Sequence, residues 1–136
     1  GEVRFTIDIR SGDAARRDRA AESICDALAG IADRRDLDFA IQRVHDLPAS
    51  PCNVALMDLM DAAIAAVGHP VRRLVSGAGH DAMVMAALCP TAMLFIRCRH
   101  GISHNPAEHV DPADVDVALQ VMLGFIDRLG ATFDPA

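Results

Sequence analysis

The chain contains no lysine. All 13 of its basic residues are arginines, set against 19 acidic residues, and the formal net charge is −6. Gripping nucleic acid through its phosphates takes a basic face. No basic patch is present, so nucleic acid is excluded as a partner. The exclusive use of arginine reads as genome composition, not chemistry. There is no run of about 18 apolar residues, the length a membrane-crossing helix needs. The opening GEVRFTIDIR alternates apolar and polar residues, which is not the pattern of a signal peptide. None of the four cysteines (Cys25, Cys52, Cys89, Cys98) stands in a C-x-x-C pair. They read as reduced thiols of a cytoplasmic protein and not as a disulfide framework. With 136 residues, 51% of them hydrophobic, the chain is too apolar for disorder and suffices for one domain or pieces of two.

Val3, Phe5, Ile7 and Ile9 alternate with Arg4, Thr6, Asp8 and Arg10, a period of two that predicts a half-buried strand. Ser11-Gly12-Asp13 breaks it and offers N-cap chemistry. A helical pattern then runs from Ala14 to about Arg35, with Ala20, Ala21, Ile24, Ala27, Leu28 and Ile31 on one face. Leu37, Phe39 and Ile41 alternate again, so residues 1–44 read as a β-α-β unit. The stretch His45–Pro51 holds two prolines and no apolar periodicity, which makes it the best linker. A helix follows from about Asn53 to Val67, facing inward with Leu56, Met60, Ala63, Ile64 and Val67 and ended by Gly68 and Pro70. Ser76–Asp81 is a glycine-rich turn entering a short helix to about Leu88. Thr91–Ile96 is a continuous apolar run of the kind buried on both faces of a sheet. A polar loop from Arg97 to Val110 leads to Asp111-Pro112, which opens the last helix. Its predicted buried stripe is Val115, Ala118, Leu119, Met122, Phe125, Ile126 and Leu129, closed by Gly130. The sequence starts inside a strand pattern with no initiator methionine, and is expected to be part of a longer polypeptide.

The densest polar cluster is the loop carrying His100, Ser103, His104, Asn105, Glu108 and His109. It follows a predicted strand, and open α/β sheets bind ligands at strand carboxyl ends. Imidazole and carboxylate suit zinc and its neighbours among the divalent ions. The plainer reading is a solvated surface loop, and Pro106 keeps His104 and Glu108 off one continuous helical face. Ser76-Gly77-Ala78-Gly79 before a helix can aim backbone N–H groups at an anion, or be an ordinary tight turn. His80-Asp81 is either a carboxylate–imidazole pair or a helix start. Arg10, at the end of the first strand, can clamp a carboxylate with its planar fork, or be solvated. Cys98, between Arg97 and Arg99 and near His100, is the one candidate thiol nucleophile.

Two segments, SGAGHDA at 76–82 and GISHNPAEH at 101–109, resemble the C-terminal signatures of the zinc-type amidohydrolases of the M20 metallopeptidase superfamily. The nearest branch is that of allantoate amidohydrolase, N-carbamoyl-L-amino-acid hydrolase and β-ureidopropionase. GEVRFTIDIR at 1–10 is similar to a strand of that family's small lid domain, and the three matches fall in the family's order. The fold implied is α/β. Residues 1–50 would be the second half of a β-α-β lid and dimerisation domain. Residues 51–136 would be the C-terminal α/β segment of a zinc-aminopeptidase-like catalytic domain. By the same resemblance His104 is a metal ligand, while Arg10 and Gly79 bind substrate. His80, Asp81 and Glu108 take supporting or structural roles.

The activity implied is hydrolysis of the carbamoyl or ureido C–N bond of N-carbamoyl-L-amino acids, allantoate or related ureido acids, in a cytoplasmic homodimer joined through the lid. Two divalent ions would serve it, zinc or manganese, with cobalt or nickel also suited to such ligands. The remaining ligands and the general base of the family lie upstream of any residue here. The resemblance therefore assigns no catalytic residue to this chain, which alone is expected to hold no tight metal and to be inert. His100 stands where the family has a small residue, and Met83 where a polar one is common. Two rival readings remain, a non-catalytic dimerisation or binding module derived from the same family, and a thiol enzyme built on Cys98 and His100.

Overall fold

The computed structural model describes residues 1–132. The chain divides into two compact units, one of Gly1–Pro51 with Val75–Gly79, the other of Cys52–Leu74 with the residues from His80 onward. The glycine-rich segment thus packs with the first unit, although it follows the proline-containing linker.

The first unit is organised by α1 (Ala14–Arg34). The Asp13 carboxylate accepts the Arg16 N–H at 3.0 Å, satisfying one of the donors that a helix start leaves unpaired. At the other end the Leu37 N–H donates to the Ala32 carbonyl at 3.0 Å, across Asp36 in the left-handed region (φ 48). Arg17, Ala20, Ala21, Ile24, Cys25 and Leu28 form a half-buried stripe that ends at buried Ala32. Ala27 and Ile31, expected on that face, lie off it and are exposed. The Arg17 guanidinium donates to the Leu47 carbonyl and pairs with Asp46 at 3.1 Å, tying the 46–47 segment to the helix.

The second unit rests on α2 (Val54–Ala66) packed against α4 (Pro112–Thr132), with the short α3 (Asp81–Met85) between them in sequence. Asn53 caps α2, its side chain accepting the Leu56 N–H at 3.1 Å, and its own N–H reaches the Thr91 carbonyl at 2.8 Å. Gly68 ends the helix at φ +78, a conformation that costs glycine little. The core is Met60, Ala63 and Val121, joined by half-buried Ile64, Val67, Leu94, Val117 and Phe125. A Cβ on Gly124 would lie 3.8 Å from the Ala63 Cβ, so two small residues bring the helices together. Asp111 holds the cap position of α4 through its carbonyl, which accepts the Asp114 N–H at 2.9 Å.

Two expectations are corrected. The helices of the predicted α/β pattern are present, but its strands at 3–10, 37–44 and 91–96 are not formed among the described residues. A strand exists only as paired backbone, and these segments have no ladder partner here. Their apolar side chains stand exposed, Val3 at 85%, Phe5 at 66% and Leu37 at 59%. Phe95 and Ile96, predicted to be buried on both faces, are exposed as well.

The second correction concerns α4. Its packed stripe is Val117, Val121 and Phe125. Leu119, Met122 and Ile126, expected inside, lie on its exposed side, and the helix runs past Gly130 to Thr132. α4 is apolar around most of its circumference, so periodicity alone does not single out the face that meets α2.

Candidate functional site

In the first unit Arg10 meets the glycine-rich segment. Arg10 Nη1 donates to the Gly77 carbonyl at 2.8 Å. Its Nε donates to both Asp8 carboxylate oxygens, at 3.0 and 2.9 Å, and Nη2 also donates to Asp8. Alternation puts Asp8 and Arg10 on one side of their segment, so the pair follows from local geometry. Hydrogen bonding to Arg10 holds the Asp8 carboxyl below the usual carboxylate range, and the same bond raises Arg10 above its ordinary value. A guanidinium has five N–H donors; these contacts leave one on each terminal nitrogen. The Arg10 side chain is 57% exposed, so those donors are within reach of an incoming carboxylate. Ser76 Oγ shapes the turn by accepting the Ala78 N–H at 3.1 Å. Gly12 lies beside Val75, at the start of the same segment. A Cβ there would fall 2.9 Å from Val75 Cγ1.

The second cluster is the histidine-rich loop. Its ends are clipped by the Arg99 N–H, which donates to the His109 carbonyl at 2.8 Å. Arg99 Nη2 also donates to Asp111 at 2.9 Å, and His109 Nε2 lies 3.3 Å from the same carboxylate. The Arg99 hydrogen bond, then its charge, lowers the Asp111 carboxyl, with a smaller contribution from His109. Inside the loop His104 takes a left-handed backbone (φ 57). Its N–H donates to Glu108 Oε2 at 2.9 Å, and Ser103 Oγ lies 2.7 Å from its Nδ1. Asn105 braces the turn, its side chain accepting the Ala107 N–H and its carbonyl the Glu108 N–H. His104 and Glu108 are thus brought together by a turn, with no helix required.

The remaining candidates fall out differently. His80 packs its ring edge-on against Phe95, centroids 5.8 Å apart. Asp81 opens α3, but a helix of five residues is too short to carry an anion site at its start. Cys98 lines a shallow hollow with Glu108 and His109, and His100 is not part of that lining. Its flanking arginines are engaged by carboxylates, Arg97 by Asp114 and Arg99 by Asp111. Those carboxylates offset positive charge of the kind that activates a thiol nucleophile.

His104 fits a divalent ion as a single donor. Nδ1 faces the Ser103 hydroxyl, so Nε2 is the atom that would meet a cation; metal-binding histidine commonly hydrogen-bonds through its second ring nitrogen in this way. A complete ligand set is absent among the described residues, where no group of three or more His, Cys, Asp or Glu could hold an ion. Sequence reasoning missed three contacts: Asp8 on Arg10, the Gly77 carbonyl on Arg10, and Ser103 on His104. The first was available from the two-residue spacing; the other two depend on turn conformation.

Residues 4–128 match Peptidase family M20/M25/M40, and the chain belongs to that family. Within it, the chain is 42% identical over 135 residues to allantoate deiminase of Arabidopsis thaliana, covering 93% of this chain and 26% of that protein. It is 32% identical over 120 residues to an N-carbamoyl-L-amino-acid amidohydrolase of Pseudomonas sp. (strain NS671), covering 88% and 29%. A crystal structure of an amidase of the hydantoinase/carbamoylase family from Burkholderia vietnamiensis superimposes with a TM-score of 0.71 at 33% identity, over 86% of this chain and 29% of that one. The chain thus spans under a third of the length of these relatives.

Proposed function

We propose that this chain is the C-terminal part of an amidohydrolase that cleaves the carbamoyl or ureido C–N bond of N-carbamoyl-L-amino acids, allantoate or related ureido acids. The observation that carries the proposal is the bond from Arg10 to Gly77. It joins an arginine able to grip a carboxylate to a turn whose exposed backbone can hold the rest of a small polar substrate. Both substrate-binding candidates, Arg10 and Gly79, belong to the same unit, and the names of the relatives support a ureido or carbamoyl substrate.

In this reading the two unused N–H groups of Arg10 take the substrate carboxylate, and Asp8 keeps the guanidinium plane from swinging away. Holding the substrate at its far end fixes the scissile carbonyl and lowers the entropic part of the barrier. His104 supplies one imidazole to a divalent-metal site completed by residues outside this chain. When bound, such ions polarise a carbonyl and acidify water. Residues 1–50 serve as lid and dimerisation surface, with the exposed Val3, Phe5, Leu37 and Phe39 pairing into sheet there. Residues 51–136 complete the α/β catalytic domain.

The test is direct. The full-length protein, assayed with N-carbamoyl-L-amino acids and with allantoate, should release ammonia, and a chelator should suppress that release. No ammonia from any ureido or carbamoyl acid would overturn the assignment.

A further inference from the structure

The loop around His104 props one residue from two directions. Glu108 Oε2 takes its backbone N–H at 2.9 Å, and Ser103 Oγ stands 2.7 Å from its Nδ1. A neutral imidazole beside a hydroxyl has two arrangements. With the hydroxyl donating, Nδ1 is bare, the proton sits on Nε2, and the far edge of the ring presents an N–H. With Nδ1 protonated and donating to the oxygen, Nε2 presents a lone pair. Only the second arrangement can receive a cation.

A serine hydroxyl accepts through two lone pairs while donating elsewhere. Ser103 is exposed, so its own proton can go to water. Glu108, the carboxylate of this loop, engages the His104 backbone N–H through Oε2, and the group set against Nδ1 is the Ser103 hydroxyl. We infer that Ser103 is a positioning residue for His104, accepting the Nδ1–H and thereby holding the ring in the tautomer whose Nε2 lone pair is available. The inference rests on the reading of His104 as a metal ligand, and adds the residue that prepares it.

Nitrogen NMR with long-range proton correlations, on this chain at a pH where imidazole is neutral, reads the tautomer of His104 without any metal. The expected result is Nδ1 in the protonated range and Nε2 in the bare range. Ser103→Ala should invert that majority, and Ser103→Thr, which keeps the hydroxyl, should restore it. Nε2–H as the majority in the unaltered chain, or a ratio unmoved by Ser103→Ala, overturns the inference. Failure of the ligand reading shows elsewhere. If the full-length protein keeps its metal content after His104→Ala, that reading falls, while the tautomer result stands as measured.

Discussion

Arg10 and Gly77, 67 residues apart in sequence, are joined by a 2.8 Å hydrogen bond from guanidinium to backbone carbonyl. A backbone acceptor cannot be removed by substitution, but the donor can. In the full-length protein Arg10→Ala should raise KM for a carboxylate-bearing substrate by about 10- to 100-fold, with a smaller change in kcat, the size expected of a charge-assisted pair. Arg10→Lys should rescue little, because an ammonium lacks the planar fork. Steady-state kinetics decides it. A loss confined to kcat would remove Arg10 from substrate binding.

His104 is expected to matter differently. His104→Ala in the full-length protein should lower bound metal, measured by elemental analysis, and cut turnover by more than about 100-fold, since even residues that merely support a metal ligand cost 10- to 100-fold. Intact turnover would refute the assignment.

Gly12 tests the packing under the Arg10 cluster. Gly12→Ala puts a methyl 2.9 Å from Val75 Cγ1, but Val75 is 77% exposed and can turn aside. The loss should therefore stay below the cost of overpacking a closed core, about 1–3 kcal/mol. Val75→Ala should recover most of the loss in the double variant, a coupling that denaturant unfolding of the four proteins would reveal.

The second unit should respond to its cap and its core in that order of size. Asn53→Ala removes the bond to the Leu56 N–H and should cost about 1 kcal/mol. Met60→Ala empties part of the α2–α4 core and should cost about 2 kcal/mol or more. Equal losses on thermal or denaturant unfolding would mean that the core contributes less than its burial suggests.

Acid should weaken the fold. Asp8, Asp13 and Asp111 are all held below the usual carboxylate range, chiefly by Arg10, the Arg16 backbone N–H and Arg99 in turn. A carboxyl lowered on folding binds fewer protons in the folded state. Its stabilisation is therefore complete above the unfolded value, near about pH 4, and disappears as pH falls through the lower folded value. The denaturation midpoint should drop below about pH 4, modestly and in a salt-sensitive way because the groups are exposed. The Asp8→Asn, Asp13→Asn, Asp111→Asn variant should show a flatter acid limb.

The parts of this structure legible in sequence are those decided locally. Asp13 and Asn53 announce their helices because a cap needs only residues within one turn, and Gly68 stops α2 for the same reason. The segments around Val3–Ile9 and Leu37–Ile41 carry a strand's alternation, yet a ladder depends on backbone from elsewhere. The stripe expected on α4 shares Phe125 with the packed one, and its Val115, Ala118 and Leu129 are half-buried, while Leu119, Met122 and Ile126 face outward. Apolar residues ring most of this helix, so its contact face depends on how it fits α2, where Gly124 comes close to Ala63. At the site, residue types were readable from motifs, while the contacts of Gly77 and Ser103 depended on how two turns fold.

His104 sits in a backbone conformation that few side chains tolerate. Glycine accepts it freely; asparagine, aspartate and histidine do so better than the rest. The side chains that bind transition-metal cations well are histidine, cysteine, aspartate and glutamate. Only histidine and aspartate belong to both sets. Substitution at this position is therefore confined by the chain's own shape before any catalytic demand applies, and where no cation is to be bound, drift toward glycine or asparagine is expected there.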